Sequence, residues 1–81
     1  MKLRFPDRAV KDYAALEKPI RKALAKQLEF LLENLAHPSI RAKKYNLTES
    51  VWQGQVTRSW RFYFLIEADE YIILSIVPHP K

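Results

Sequence analysis

Apolar positions along the chain change period near residue 40. Before it they recur every three or four residues; after it they fall in short runs rich in aromatic and β-branched side chains. Leu3 and Phe5 share one side of a short strand over residues 1–5, which Pro6 and Asp7 break. A short helix opens there, with Val10, Tyr13, Ala14 and Leu16 on its apolar side. Pro19 suits an early position of a second helix, where a missing N–H costs nothing. Ile20, Leu24, Leu28, Leu31 and Leu35 continue it as a stripe, thickened by Ala23, Ala25 and Leu32. Asn34, His37 and Pro38 supply the stop, so His37 is read as a helix-ending residue.

Residues 51–57 (VWQGQVT), 60–67 (WRFYFLIE) and 71–77 (YIILSIV) read as strands separated by turn-like breaks, with residues 42–47 open as a further one. Sequential strands with short connections pair antiparallel. The expectation is an α+β domain over residues 1–81. In it an N-terminal helical hairpin packs on one face of a three- to four-stranded antiparallel sheet. A three-residue turn at Thr57, Arg58 and Ser59 sets Val56 opposite Trp60, Gly54 opposite Phe62 and Trp52 opposite Phe64. That register gathers an apolar set on the buried face and leaves Gln53, Gln55, Arg61, Tyr63 and Leu65 on the other. In the next hairpin, pairing about Asp69 sets residue 67 opposite 71 and Arg61 opposite Val77. Arg58 and Ser59 then lie beside Pro78, His79 and Pro80.

Composition narrows the class. At 81 residues and 48% hydrophobic, with two Trp, four Tyr and four Phe, the chain is near the lower end of what one core stabilises, yet apolar enough to fold. The absence of cysteine removes disulfides and thiolate metal sites and fits a reducing, cytoplasmic setting. The opening MKLRFPDRAV is too polar for a signal peptide, and no apolar run approaches the roughly 20 residues that span a bilayer. No membrane partner is therefore expected. Fourteen Lys and Arg against nine Asp and Glu give a net charge of +5, which suits a negatively charged partner.

Arg58, Arg61, His79 and Lys81 converge at one end of the expected sheet. Arg61 interrupts an aromatic strand, which is costly unless its guanidinium reaches water or an anion. Cleaving RNA without a metal needs a base for the 2′-hydroxyl proton, cations for the phosphate, and an acid for the leaving 5′-oxygen. Histidine serves either proton role near neutrality; arginine offers phosphate a planar fork and lysine a point charge. The plainer reading is an exposed histidine at a chain end and a surface arginine. Arg41, Lys43 and Lys44 form a basic run beside Tyr45, suited to an RNA backbone or, equally, to a solvated sheet edge. Tyr63 joins them as a candidate RNA contact on the open face. Glu67, Asp69 and Glu70 read as a solvated turn more readily than as a cation site, and no P-loop, dinucleotide, zincin or zinc-finger spacing occurs. No cofactor and no metal are expected.

In this order and spacing, SWRFYFLIEADEYIILSIVPHPK and the preceding RAKKYNLTESVWQGQV resemble the RelE/ParE superfamily of toxins over nearly the whole chain. The most telling features are the Trp60–Arg61 pair in a strand, an acidic hairpin, an apolar strand and a terminal histidine-bearing motif. The resemblance implies an mRNA endoribonuclease, often acting in the ribosomal A site and silenced by a cognate antitoxin wrapped around it. It also implies roles for single residues. Arg61 matches the strand arginine that stabilises the scissile phosphate, and Arg58 falls near a supporting basic position. His79 lies where some branches carry a catalytic histidine, and Lys81 near where others carry a basic residue. Two lysines that some members of the family carry on its second strand are Gln53 and Gln55 here. Two other functions stay open: a ParE-like inhibitor of DNA gyrase, and a non-catalytic module that binds nucleic acid or an acidic protein.

Overall fold

The computed structural model describes residues 1–46 and 48–79; Lys81, among the expected catalytic residues, lies outside the described residues. The elements run β1 (Lys2–Arg4), α1 (Asp7–Ala15), α2 (Lys18–Glu33), β2 (Lys43–Asn46), β3 (Val51–Thr57), β4 (Trp60–Glu67) and β5 (Glu70–Pro78). After the short β1 the two helices precede the other four strands, as their periodicity predicts. Pro19 sits in the first turn of α2, and Asn34 ends it with its N–H on the carbonyl of Phe30. His37 is structural: its ring stacks on Phe30 at 3.9 Å and its Nδ1 accepts from the N–H of Ser39.

The sheet corrects the expectation. It has five strands in the order β1-β5-β4-β3-β2, and β1 pairs parallel with β5, so it is mixed rather than antiparallel. Chain-neighbour reasoning reaches only the three antiparallel pairs, β2·β3, β3·β4 and β4·β5. The β1·β5 pair joins segments from opposite ends of the chain, Leu3 opposite Tyr71, and three residues are too few to show a strand period.

Register follows from packing. Gly54 stands opposite Phe62 and Trp52 opposite Phe64, as expected. A Cβ on Gly54 would lie 2.5 Å from the Phe62 ring, so only glycine lets that ring lie across β3. Phe62 and Phe64 are fully enclosed and stack at 5.4 Å, against Leu24, Leu28 and Leu31 of α2 and Ala9 of α1. The turns are tighter than expected. Thr57, not Val56, stands opposite Trp60, with a bulge between Gln55 and Thr57 that restores the register. Likewise Glu67 faces Glu70 across a two-residue turn in which Ala68 has φ 50°, and a bulge at Leu74 brings Arg61 opposite Val77. The first bulge keeps the expected facing pairs of β3 and β4 beyond it, whereas the second changes the core: Tyr71 and Ile73 turn inward with Ile76, and Leu74 lies on the open face.

Beyond Ile72, the outer side of β5 is no longer covered by β1. There Asp12 of α1 accepts the Ile76 N–H at 3.0 Å, satisfying an amide that a bare sheet edge would leave open.

Candidate functional site

The face of the sheet away from the helices carries one cross-strand row of Lys43, Gln53, Tyr63 and Ser75, and a second of Gln55, Arg61 and Val77. Between them lies a cleft of about 190 Å³ lined by Arg41, Lys43, Gln53, Gln55 and Arg61. Three cations and two amides line it, with no carboxylate. Lys43 and Arg41 supply from the neighbouring strand and its lead-in the charge that Gln53 and Gln55 do not carry. Such a set is stable only with water or an anion among its charges.

Arg61 is held firmly. Its Nη1 lies within donor distance of the carbonyls of Thr57 (2.6 Å), Trp60 (2.9 Å) and Arg58 (3.2 Å). All three carbonyls belong to residues 57–60, the β3–β4 turn and its two flanking residues. Among the described residues no carboxylate pairs with Arg61, and its remaining N–H groups have no protein acceptor. One edge of the guanidinium is therefore fixed while the other stays available to a ligand.

His79 reaches the same turn from the other side. Its backbone N–H donates to the carbonyl of Ser59 at 2.7 Å, and Pro78 stands opposite Trp60. The imidazole is exposed just past the end of β5, two residues after the partner of Arg61. Arg58 is exposed at the tip of the turn, so Arg58, Arg61 and His79 gather at one end of the sheet.

A second hollow, of about 310 Å³, adjoins the first and is lined by Tyr45, Glu49, Val51, Tyr63, Leu74 and Ser75. Tyr45 is 62% exposed and meets Tyr63 edge-on at 4.9 Å. The Tyr63 hydroxyl in turn accepts from Gln53 Nε2 at 3.0 Å. Aromatic surface thus stands beside the cationic cleft, the pairing that single-stranded nucleic acid uses.

The basic run divides. Lys43 lines the cleft, whereas Lys44 stands opposite Trp52 with its Nζ 5.8 Å from that ring, on the other face. Strand alternation sends consecutive residues to opposite faces, so the two lysines do not act together. Sequence reasoning missed Gln27, whose signal was a lone amide between Leu24 and Leu28 on the apolar stripe of α2. Among the described residues no group of His, Asp and Glu could hold a metal ion, and no helix is long and apolar enough to cross a membrane.

The family model described as the ParE toxin of the type II toxin–antitoxin system parDE matches residues 3–80. The chain belongs to the ParE toxin family. Solved structures agree on the fold. A YoeB/ParE toxin from Agrobacterium tumefaciens superposes with a TM-score of 0.82 at 12% identity, covering 99% of this chain and 100% of that one. The YoeB dimer from Staphylococcus aureus gives 0.81 at 16%, covering 99% and 98%. The intact E. coli RelBE toxin–antitoxin complex gives 0.73 at 19%, covering 98% and 96%. The comparison with curated proteins found no match. Family membership makes this a toxin of a type II toxin–antitoxin system.

Proposed function

We propose that this toxin is an mRNA endoribonuclease that needs no metal and works from the cleft around Arg61, arresting translation. The observation that carries the reading is the anchored guanidinium: Arg61 is tied to the β3–β4 turn by its carbonyls, and His79 is tied to the same turn through Ser59. The adjacent phosphate would sit among Arg61, Arg41 and Lys43, with bases against Tyr63 and Tyr45. His79 takes the 2′-hydroxyl proton; the 2′-oxygen forms a bond to phosphorus as the bond to the 5′-oxygen breaks. Arg61 meets the growing charge on the phosphoryl oxygens. Arg58 adds positive charge at the tip of the turn, and Lys81 is the proposed proton donor to the 5′-oxygen. The products are a 2′,3′-cyclic phosphate and a 5′-hydroxyl. Incubation with programmed ribosomes, followed by analysis of the RNA ends, tests this. Intact RNA at concentrations that stop growth would rule it out.

The partner implied is a cognate antitoxin. An almost wholly apolar groove of about 360 Å³ runs between β1, α1 and α2, lined among others by Phe5, Tyr13, Leu28 and Leu32, with Val10 51% and Leu32 40% exposed at its rim. An amphipathic helix of the antitoxin fits this groove, and YoeB and RelE are both seen in complexes with antitoxins.

One observation favours a second reading, inhibition of DNA gyrase: the matching family model is the ParE model. Growth arrest would then track DNA damage and survive substitution of Arg61 and His79.

A further inference from the structure

The lead-in to β2 is held in an uncommon way. Ile40 is fully enclosed in the core, and its carbonyl accepts the N–H of Gln55 at 2.7 Å, so residues 39–41 cover β3 beyond the end of β2. Gln27 fastens this segment from the helix side. It is 8% exposed, and its Nε2 lies 2.8 Å from both the Ser39 carbonyl and the Gln55 carbonyl. A buried amide on an apolar stripe is costly unless satisfied, and here one donor group ties α2 both to the turn at Ser39 and to β3.

Immediately after Ile40, Arg41 has φ 50°, the left-handed region that disfavours any residue with a Cβ. Glycine would adopt it without strain. The anchors on either side hold the backbone in this conformation, but the side chain does nothing to offset the strain: among the described residues Arg41 has no side-chain hydrogen bond, ion pair or ring contact. It lines the cleft with Lys43 and Arg61, where a third unpaired cation adds repulsion until an anion arrives. A strained residue with no internal partner points to a ligand.

We propose that Gln27 is a positioning residue for the cleft, holding residues 39–41 so that Arg41 is presented, from its left-handed backbone, to the phosphate that Arg61 binds. The proposal rests on the reading of the cleft as an RNA site. Gln27 acts only through Arg41 and touches no substrate.

The test is the salt dependence of binding to a short single-stranded RNA with 2′-O-methyl riboses, which cannot be cleaved. Wild type is compared with Gln27→Leu, Arg41→Gly and the double variant, each with a melting curve; Gln27→Met serves if Gln27→Leu is too unstable. Arg41→Gly should keep or raise the melting temperature, yet bind about tenfold more weakly. Its slope of log K against log salt should be shallower by about 0.7, one phosphate contact on a single strand. Gln27→Leu should lose a similar part of the slope, and the double variant no more than Arg41→Gly alone. Gln27→Leu with a lowered melting temperature and an unchanged slope would overturn the proposal, as would Arg41→Gly with wild-type affinity. Failure of wild type itself to bind the RNA would overturn the RNA reading and the proposal with it, an outcome distinct from the other two.

Discussion

The backbone N–H of His79 donates to the carbonyl of Ser59 at 2.7 Å, which fastens the end of β5 to the turn that grips Arg61. Arg61 lies in β4 and His79 just past the end of β5, and the turn registers them. Their distance is therefore set by rigid ladder geometry rather than by a loop. Replacing Arg61 by Lys keeps the charge and loses the fork. Arg61→Lys should lower the cleavage rate about 100-fold, the effect of one transition-state donor. Thermal melting should change little, because the turn carbonyls it leaves can bond water.

Gly54 tests the register. Gly54→Ala drives a methyl group into the ring of Phe62, which Phe64 and Ile40 prevent from moving freely. A destabilisation of about 1–3 kcal/mol is expected, read as a lower midpoint in urea at an unchanged slope. Activity per folded molecule should persist, since the substitution lies on the face opposite the cleft.

Asp12 tests the uncovered edge of β5. Asp12→Ala leaves the enclosed Ile76 amide without an acceptor and should cost about 2 kcal/mol. Asp12→Asn keeps an acceptor oxygen and should recover most of that loss. Equal losses in the two variants would instead assign the effect to the charge, through the nearby Arg8 at 3.8 Å.

The apolar groove predicts a separation of functions. Leu32→Glu places a charge at its rim and should weaken antitoxin binding by at least tenfold in calorimetry, while RNA cleavage by the free toxin is unchanged. Coupled loss of both properties would mean that the groove and the cleft are not independent surfaces.

Much of this arrangement was legible in the chain. The stripe from Ile20 to Leu31 placed α2, and the facing pairs Gly54–Phe62 and Arg61–Val77 placed the open face, because burial permits only one register. The parallel pairing of β1 was not legible, since Lys2–Arg4 carries no period and finds its partner at the far end of the chain. Nor were the bulges at Val56 and Leu74, because beyond each bulge a two-residue turn gives the same facing pairs as a longer turn, and only the pairs nearest the turn differ. The division of Lys43 from Lys44 could have been read from strand alternation alone. The grip on Arg61 could not, because it depends on where the carbonyls of residues 57–60 lie around one short turn.

The most direct test of the central claim is a double-mutant cycle on single-turnover cleavage of ribosome-bound mRNA, with wild type, Arg61→Ala, His79→Ala and the double variant. If both residues serve one phosphodiester, each single substitution lowers the rate by about 100-fold or more, and the double variant falls little further than the weaker single one. Losses that multiply, or a His79→Ala protein that cuts at the wild-type rate, would contradict the account.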